Sequence, residues 1–192
     1  MNYKEIYSNL FKTRLEYNTG QFVSYVYARE FITYLQHKEE ITTLADIGSG
    51  RGNLFPYISE NKIESIHSYD LECFYNINNF SNVNFTKINL SVAEDLSKIK
   101  KVDLLCCLDV LEHIEEKFID EIMSAFSKNS SFCYFSVANH SDCLDGVELH
   151  LIQKGLNFWK EKFKPFFEIL DVRTFYDGKL MIFCLRSKRG RN

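Results

Sequence analysis

The sequence predicts an α/β fold built on a mostly parallel sheet of seven strands that ends in an antiparallel hairpin. Short apolar runs alternate with segments of helical length along most of the chain, which indicates βαβ units. A glycine-rich turn at residues 46–52 directly follows the first clear strand run, as in strands that lead through a ligand-binding turn into a helix. Asp177-Gly178 joins the last two runs, and this dipeptide favours a tight hairpin.

The composition is that of one ordered domain. At 192 residues the chain is long enough for a sizeable core, and its apolar content of 45% excludes general disorder. The net charge of −3 provides no overall attraction for nucleic acid or for an anionic membrane. No run approaches about eighteen apolar residues, and the first thirty residues lack an apolar leader segment. We therefore expect a soluble, cytoplasmic protein that makes no membrane contact.

The six cysteines carry no Cys-x-x-Cys spacing, and four of them stand in apolar runs. Buried cysteines in such runs usually pack as small apolar side chains. We therefore expect reduced thiols, without a disulfide framework or a zinc site.

The first predicted elements are a helix, a strand and a second helix. Apolar side chains at helical spacing predict a helix over 21–38. The run 43–47 predicts a buried strand, and a helix over 53–60 follows the glycine-rich turn. Pro56 falls in the first turn of that helix, where a missing N–H is tolerated.

The middle of the chain continues the alternation. A strand is predicted over 65–70, a short helix near 73–78 and a third strand over 83–88. The apolar run 102–108 predicts a fourth strand, and the amphipathic pattern over 114–127 predicts the helix after it.

The last part departs from the βαβ pattern. A fifth strand is predicted over 131–137, followed by a long polar loop over 138–154. Loops of this length are often functional. A helix over 156–163 then leads to the hairpin strands 167–176 and 180–186. The aromatic pair on that helix, Phe158 and Trp159, is more typical of a core than of a binding platform.

The glycine-rich turn is the first of three functional motifs. Asp46 stands two residues before a Gly-x-Gly-x-Gly sequence formed by Gly48, Gly50 and Gly52. Glycines let a backbone approach a ligand closely, and the helix start behind them offers N–H groups. This segment resembles motif I of the class I S-adenosylmethionine-dependent methyltransferases. That family implies a doubly wound sheet with helices on both faces and a C-terminal antiparallel hairpin.

The second motif ends the second predicted strand. Asp70 stands there, and the segment 68–72 resembles motif II of the same family. A carboxylate at this position can accept hydrogen bonds from both hydroxyls of a ribose. After the third strand the family usually has an acid near the adenine amino group, whereas this chain has Asn89. The amide oxygen of Asn89 could accept the same hydrogen bond, with Asp95 as the alternative.

The third motif is the segment 102–114. It resembles the Asp-Leu-Val…Glu-Val-Leu-Glu-His segment of small-molecule members such as the ubiquinone-pathway O-methyltransferases. Together the three motifs cover about residues 43–137. The cofactor-binding residues that the resemblance implies are Asp46, Gly48, Ser49, Gly50, Gly52, Asp70, Leu71, Asn89, Leu108 and Asp109.

The resemblance divides the single domain of 1–192 into four segments. Residues 1–40 are expected to form an N-terminal helical cap and residues 41–137 the half that binds S-adenosylmethionine. Residues 138–186 are expected to supply the substrate-side loop, helix and hairpin, and residues 187–192 form a basic tail. Such a tail is typically solvated.

Histidines near the same edge are the candidate catalytic residues. Methyl transfer is an in-line displacement, so alignment of the acceptor matters most, and some acceptors also need a base. His113 follows the fourth strand, with Glu112 beside it, whereas His140 and His150 flank the loop after the fifth strand. We take His113, Glu112 and His150 as the catalytic candidates; packing or capping roles remain the alternative.

The same residues resemble a divalent-metal site. Some ubiquinone-pathway enzymes and the small-RNA 3′-terminal 2′-O-methyltransferases have Glu-x-x-Glu-His and a distant histidine. Here Asp109, Glu112 and His113 correspond to that motif, with His140 or His150 as the distant ligand. Because Asp109 is shorter than the usual glutamate, the sequence favours a site without metal.

The resulting functional hypothesis is methyl transfer from S-adenosylmethionine to an oxygen or nitrogen of a small molecule. A non-catalytic S-adenosylmethionine-binding protein and a metal-assisted RNA 2′-O-methyltransferase are the alternatives. A nicotinamide dehydrogenase would need a third glycine where Asn53 stands. DNA-base methylation is disfavoured because residues 108–111 lack the Pro-Pro pair typical of those enzymes. The sequence leaves the oligomeric state open.

Overall fold

The computed structural model describes residues 5, 6, 9 and 22–188. Its strands, in chain order, are β1 (Thr43–Ile47), β2 (Ser65–Asp70), β3 (Val83–Lys87), β4 (Val102–Leu108), β5 (Ser130–Ala138), β6 (Cys143–Leu144), β7 (Val147–Glu148), β8 (Phe167–Phe175) and β9 (Leu180–Ser187). Its helices are α1 (Phe22–Gln36), α2 (Leu54–Ile58), α3 (Ala93–Leu96), α4 (Glu116–Asn129) and α5 (Leu156–Phe163). Residues 1–4, 7, 8 and 10–21 of the predicted cap and residues 189–192 of the tail lie outside the described residues.

Seven of these strands form one sheet in the order β3-β2-β1-β4-β5-β9-β8. Strands β1 to β5 pair in parallel, whereas β9 runs antiparallel to both β5 and β8. The predicted fold is therefore confirmed, including the C-terminal hairpin. Since β1 and β4 are neighbours in the sheet but not in the chain, the strand order reverses between them, which is where such sheets bind ligands.

The sheet is covered by helices on both faces, as a doubly wound fold requires. Successive residues of a strand point to opposite faces, so Leu104 packs in the core beneath α1 and α2, and Leu105 in the core beneath α4 and α5. Both side chains are fully buried. Trp159 on α5 is also fully buried, so the predicted core role of this aromatic residue is confirmed.

Two local predictions were wrong. The region 73–78 was expected to be a short helix, but it contains only the start of a 3₁₀ turn at Ile77–Asn79. The side chain of Asn76 accepts the backbone N–H of Asn78 there, and such local bonds compete with helix formation. The segment predicted as a loop over 138–154 contains the β6–β7 hairpin, and the short helix α3 was not predicted.

All six cysteines are free thiols, as expected. Cys106, Cys107 and Cys133 are fully buried in the two cores. Among the residues that the structure describes, no helix has the length and apolar character needed to cross a membrane.

Asp103 links the amino ends of β1 and β4. Its carboxylate accepts the backbone N–H groups of Thr42 and Thr43 at 3.0 and 2.8 Å and the Thr43 hydroxyl at 2.7 Å. Partial burial raises the pKa of this carboxyl, but the hydrogen bonds outweigh it and the net pKa lies below the ordinary value. These bonds stabilise the pairing of β1 with β4.

Replacing Asp103 with Ala should lower the free energy of unfolding at pH 7 by about 1–3 kcal/mol, because hydrogen bonds to a charged acceptor are lost. A depressed carboxyl pKa stabilises the fold above the ordinary pKa and loses its effect as the pH falls through it. Urea unfolding should therefore show a constant gap between the two proteins at pH 7 and 5 that narrows towards pH 3.5.

Asp120→Ala is the matched control. Asp120 is exposed and pairs with Lys162 at the surface, so its removal should change stability by no more than about 0.5 kcal/mol. Equal losses in the two variants would show that Asp103 does not tie the strands together.

Candidate functional site

The predicted site residues meet at the carboxyl edge of the parallel strands. In the strand register Asp46 on β1 lies opposite Ser68 on β2 and Cys106 on β4, and Leu108 lies opposite Ser136 on β5. The residues that follow these strands therefore share one edge. This edge includes the reversal point between β1 and β4.

The glycine-rich turn after β1 requires its glycines. Gly48, Gly50 and Gly52 have φ angles of 69°, 51° and 71°, a left-handed region that L side chains rarely adopt. A Cβ on Gly48 would overlap Cγ2 of Val110, which follows β4. The N–H of Gly48 donates to the carbonyl of Tyr69 on β2 at 2.8 Å. The turn is thus held tightly between the ends of β2 and β4.

Asp46 is a buried acid with spare hydrogen-bonding capacity. Its side chain is 3% exposed, and its Oδ2 has no hydrogen-bond partner among the described residues. Burial, together with the nearby charge of Asp70, raises the pKa of Asp46 to about 8. Buried polar atoms are normally partnered, so this oxygen suits a donor or cation on a bound molecule.

Asp70 connects β2 to the glycine-rich turn. Its Oδ2 accepts the N–H of Gly50 at 2.8 Å, and its Oδ1 accepts the N–H of Leu71 at 2.6 Å. Burial raises the pKa of Asp70 to about 6 although both hydrogen bonds oppose the rise. Each oxygen still has a second acceptor position, which would suit a pair of hydroxyl groups.

A hydroxyl network beneath the turn was missed at the level of sequence. Tyr75 donates to Ser68 Oγ at 2.8 Å, and Ser68 donates to Ser49 Oγ at 2.7 Å. The Tyr75 ring packs edge-on against Phe55, 5.5 Å between centroids. In the sequence only the polar Ser68 within the predicted strand 65–70 hinted at this network. Tyr75 lies in a segment without regular structure, so its position could not be predicted.

The exit of β4 has an unusual backbone conformation. Asp109 has a φ of 50°, and its N–H donates to the carbonyl of Ser136 at 3.0 Å. The Ser136 hydroxyl donates to Asp109 Oδ1 at 2.5 Å. Burial raises the pKa of Asp109 to about 6. The conformation of Asp109 turns the chain so that Val110 contacts the glycine-rich turn and the following residues face the end of β5.

Glu112, His113 and His150 form a cluster beyond that exit. Glu112 is fully buried, and its Oε1 accepts the N–H of Ala138 at 2.7 Å. The rings of His113 and His150 meet edge to face at 4.7 Å, and His140 lies 4.9 Å from His150. The three histidine rings therefore lie close together near the carboxyl ends of β4 and β5, where the sequence analysis expected them.

Burial controls the charge of these imidazoles. It lowers the pKa of His113 to about 3, with His150 adding to the effect, and it lowers the pKa of His150. Both rings are therefore neutral at pH 7, and each keeps one nitrogen lone pair.

The hydrogen bonds of Asn89 are with Ser91 and Asp95 and not with the other predicted site residues. It is exposed, its Oδ1 accepts the N–H of Ser91 at 3.0 Å, and its own N–H donates to Asp95 at 2.8 Å. Asp95 in turn pairs with Lys98. The amide oxygen of Asn89 thus forms a local turn, and its contact with an adenine stays a prediction.

Known structures share this fold. The TehB-like SAM-dependent methyltransferase from Corynebacterium glutamicum superposes with a TM-score of 0.64 at 14% identity, over 97% of each chain. TehB from Haemophilus influenzae gives 0.61 at 15% identity, over 83% of this chain and 62% of that one. An O-methyltransferase family protein from Burkholderia thailandensis gives 0.61 at 12% identity, over 85% and 56%. No family model and no curated protein matches this chain. The chain thus has a fold found in methyltransferases.

Replacing Gly48 with Ala should destabilise the protein more than replacing Gly178 with Ala. Both residues have positive φ angles, so each variant bears about 1–2 kcal/mol of backbone strain. Only Gly48 adds an overlap with Val110, because nothing lies within 4 Å of a Cβ on Gly178. Urea unfolding of both variants measures the difference.

The overlap itself is tested with Val110→Ala. In the Gly48→Ala background this truncation should recover part of the lost stability, which a double-mutant cycle isolates. Purely additive losses, or equal effects at the two glycines, would contradict the close approach.

Proposed function

We propose that this protein is an S-adenosylmethionine-dependent methyltransferase that acts on an oxygen or nitrogen of a small molecule. The observation that carries the proposal is the unpartnered, buried Oδ2 of Asp46 beside a turn where Gly48 has no room for a Cβ. Both features lie at the reversal point of the sheet. The fold shared with methyltransferases supports the same conclusion.

The chain offers suitable partners for each part of this cofactor. Asp46 suits the ammonium of its methionine part, and Asp70 suits the ribose hydroxyls. We propose the following contact residues: Asp46, Gly48, Ser49, Gly50, Gly52, Asp70, Leu71, Asn89, Leu108 and Asp109. When bound, S-adenosylmethionine supplies a methyl group on a positively charged sulfur. The protein's own contribution is to bind, align and exclude water.

The acceptor would lie beside Glu112, His113 and His150. His113 is the preferred orienting group, because its neutral imidazole can accept a hydrogen bond from a hydroxyl or amine. With its pKa lowered to about 3, this imidazole is a weak base at neutral pH. Glu112 and His150 would support it by position. The negative net charge of the chain disfavours a polyanionic acceptor such as DNA or RNA.

Cofactor affinity should rise with pH between 5 and 7.5. Because the pKa values of Asp46 and Asp70 are raised to about 8 and about 6, both carboxyls are protonated at low pH and bind a cationic ligand poorly. Asp46→Asn and Asp70→Asn should each weaken binding about tenfold or more. Isothermal titration calorimetry with S-adenosylmethionine across this pH range measures both effects.

Asp120→Asn is the control for this titration. This exposed acid on α4 pairs with Lys162 at the surface and is not among the proposed contact residues. Affinity that is independent of pH, or an equal loss in Asp120→Asn, would contradict the placement of the cofactor.

Replacing His113 with Ala should slow methyl transfer at least about tenfold and leave cofactor affinity nearly unchanged, since a group that aligns the acceptor contributes to the rate and not to cofactor binding. Release of S-adenosylhomocysteine with a panel of phenols, sugars and amines measures the rate. His37→Ala, an exposed histidine after α1, is the control. Equal losses of rate and affinity would make His113 structural. Cofactor binding without turnover on any acceptor would instead favour a non-catalytic binding protein.

A further inference from the structure

One carboxylate closes the hairpin in the loop after β5. Oε1 of Glu148 accepts the backbone N–H groups of Asp142 and His150, both at 2.9 Å. Its Oε2 accepts the Ser141 hydroxyl and the Cys143 thiol. A carboxylate has about four acceptor positions, so this one is fully used within its own loop. Glu148 therefore acts on the shape of the loop.

These bonds keep Glu148 ionised. The hydrogen bond from Ser141 and then that from the N–H of Asp142 lower the pKa of Glu148 to about 2, against a smaller effect of desolvation. The carboxylate is thus charged at neutral pH, and hydrogen bonds to a charged acceptor are the stronger kind. The two sides of the hairpin are held together by this one side chain.

The carboxylate also fixes the direction of a neighbouring carbonyl group. The carbonyl of Leu149 and the N–H of His150 belong to one planar peptide group, in which they point in opposite directions. Because Glu148 accepts this N–H, it sets the direction of the carbonyl oxygen. The N–H of Leu149 donates to the carbonyl of Asp142 at 2.8 Å, which fixes the preceding peptide group as well.

The carbonyl oxygen of Leu149 meets the ring of His113. Nδ1 of His113 lies 3.0 Å from it. A carbonyl oxygen can only accept, so Nδ1 carries the hydrogen and Nε2 carries the lone pair. The orienting role given to His113 above needs an acceptor nitrogen, and Nε2 is that nitrogen. The peptide group between Leu149 and His150 therefore selects the tautomer that this role requires.

We propose that Glu148 is a positioning residue, which holds the Leu149 carbonyl against Nδ1 of His113 and so leaves Nε2 to orient the methyl acceptor. This inference rests on the proposed function for the role of His113. The chain of contacts runs from the Glu148 carboxylate through one peptide group to the imidazole. Without the carboxylate, water takes its place at the N–H of His150, and the ring loses its fixed partner.

The position of Glu148 separates this role from a general contribution to folding. Strands β6 and β7 form a two-stranded sheet of their own outside the seven-stranded sheet, and Glu148 is partly exposed. The N–H of Ile152 donates to the carbonyl of Glu112 at 3.0 Å, which attaches the loop to the turn after β4 independently of Glu148. Removal of this carboxylate should therefore leave both cores intact.

The first test is the tautomer of His113 in the full chain without cofactor or acceptor. Heteronuclear NMR of the imidazole nitrogens shows which of them carries the hydrogen, and His113→Ala identifies the signals. Glu148→Ala should convert the single Nδ1–H form into a mixture of both tautomers. Glu148→Gln should convert it less, because its amide oxygen can still accept the two backbone N–H groups.

The second test is catalysis with an acceptor found by the panel above. Glu148→Ala should lower kcat about tenfold or more, because the acceptor is no longer aligned. The affinity for S-adenosylhomocysteine, measured by calorimetry, should stay unchanged, and Glu148→Gln should recover part of the rate. Glu161→Ala is the control: it removes a glutamate from the surface of α5, where it pairs with Lys164, and should change neither quantity.

Two results would overturn the proposal. One is an unchanged Nδ1–H form of His113 in folded Glu148→Ala, and the other is an equal loss of rate and cofactor affinity. Circular dichroism verifies folding, and Glu148→Gln decides if the alanine variant does not fold. If no acceptor is methylated, the proposed function fails, whereas a mixture of tautomers in Glu148→Ala still supports the link from Glu148 to His113.

Discussion

The contact between the backbone of Gly48 and the side chain of Val110 is the constraint on which the candidate site depends. It joins the exits of β1 and β4, two strands that are neighbours in the sheet but are separated along the chain by β2 and β3. Because Gly48 has no Cβ, the turn packs directly against Val110 while Asp46 stays buried behind it. Asp70 and Asp109 then converge on the same edge from the neighbouring strand ends.

Two groups of buried acceptors flank the exit of β4. On one side the carboxyls of Asp46 and Asp70 have raised pKa values because burial disfavours their charge. On the other side Glu112 lies beside two neutral imidazoles. Uncompensated buried acceptors reduce stability, so both groups indicate that this edge is adapted to bound species with donors or positive charge. The cofactor proposal has this physical basis.

Local patterns carried much of the fold information. The runs at β1 and β4 predicted their strands within a residue, because strands buried on both faces are largely apolar. β2 was predicted within a residue as well, although four of its six residues are polar. The turn at Asp177-Gly178 predicted the β8–β9 hairpin because it favours positive φ angles, which the structure shows. The prediction for 73–78 failed since the Asn76 side chain competes with helical hydrogen bonds, a balance that propensity does not resolve.

For the site, residue type and spacing were enough to locate the glycine-rich turn, Asp70 and the pair Glu112–His113, since each belongs to a short continuous motif. Packing between distant segments settled the rest. His150 lies close to that pair because the loop after β5 packs against the end of β4. The Ser136 hydroxyl reaches Asp109 because β5 itself pairs with β4. The sequence does not show such contacts, because the partners are far apart along the chain and no local pattern indicates that they meet in space.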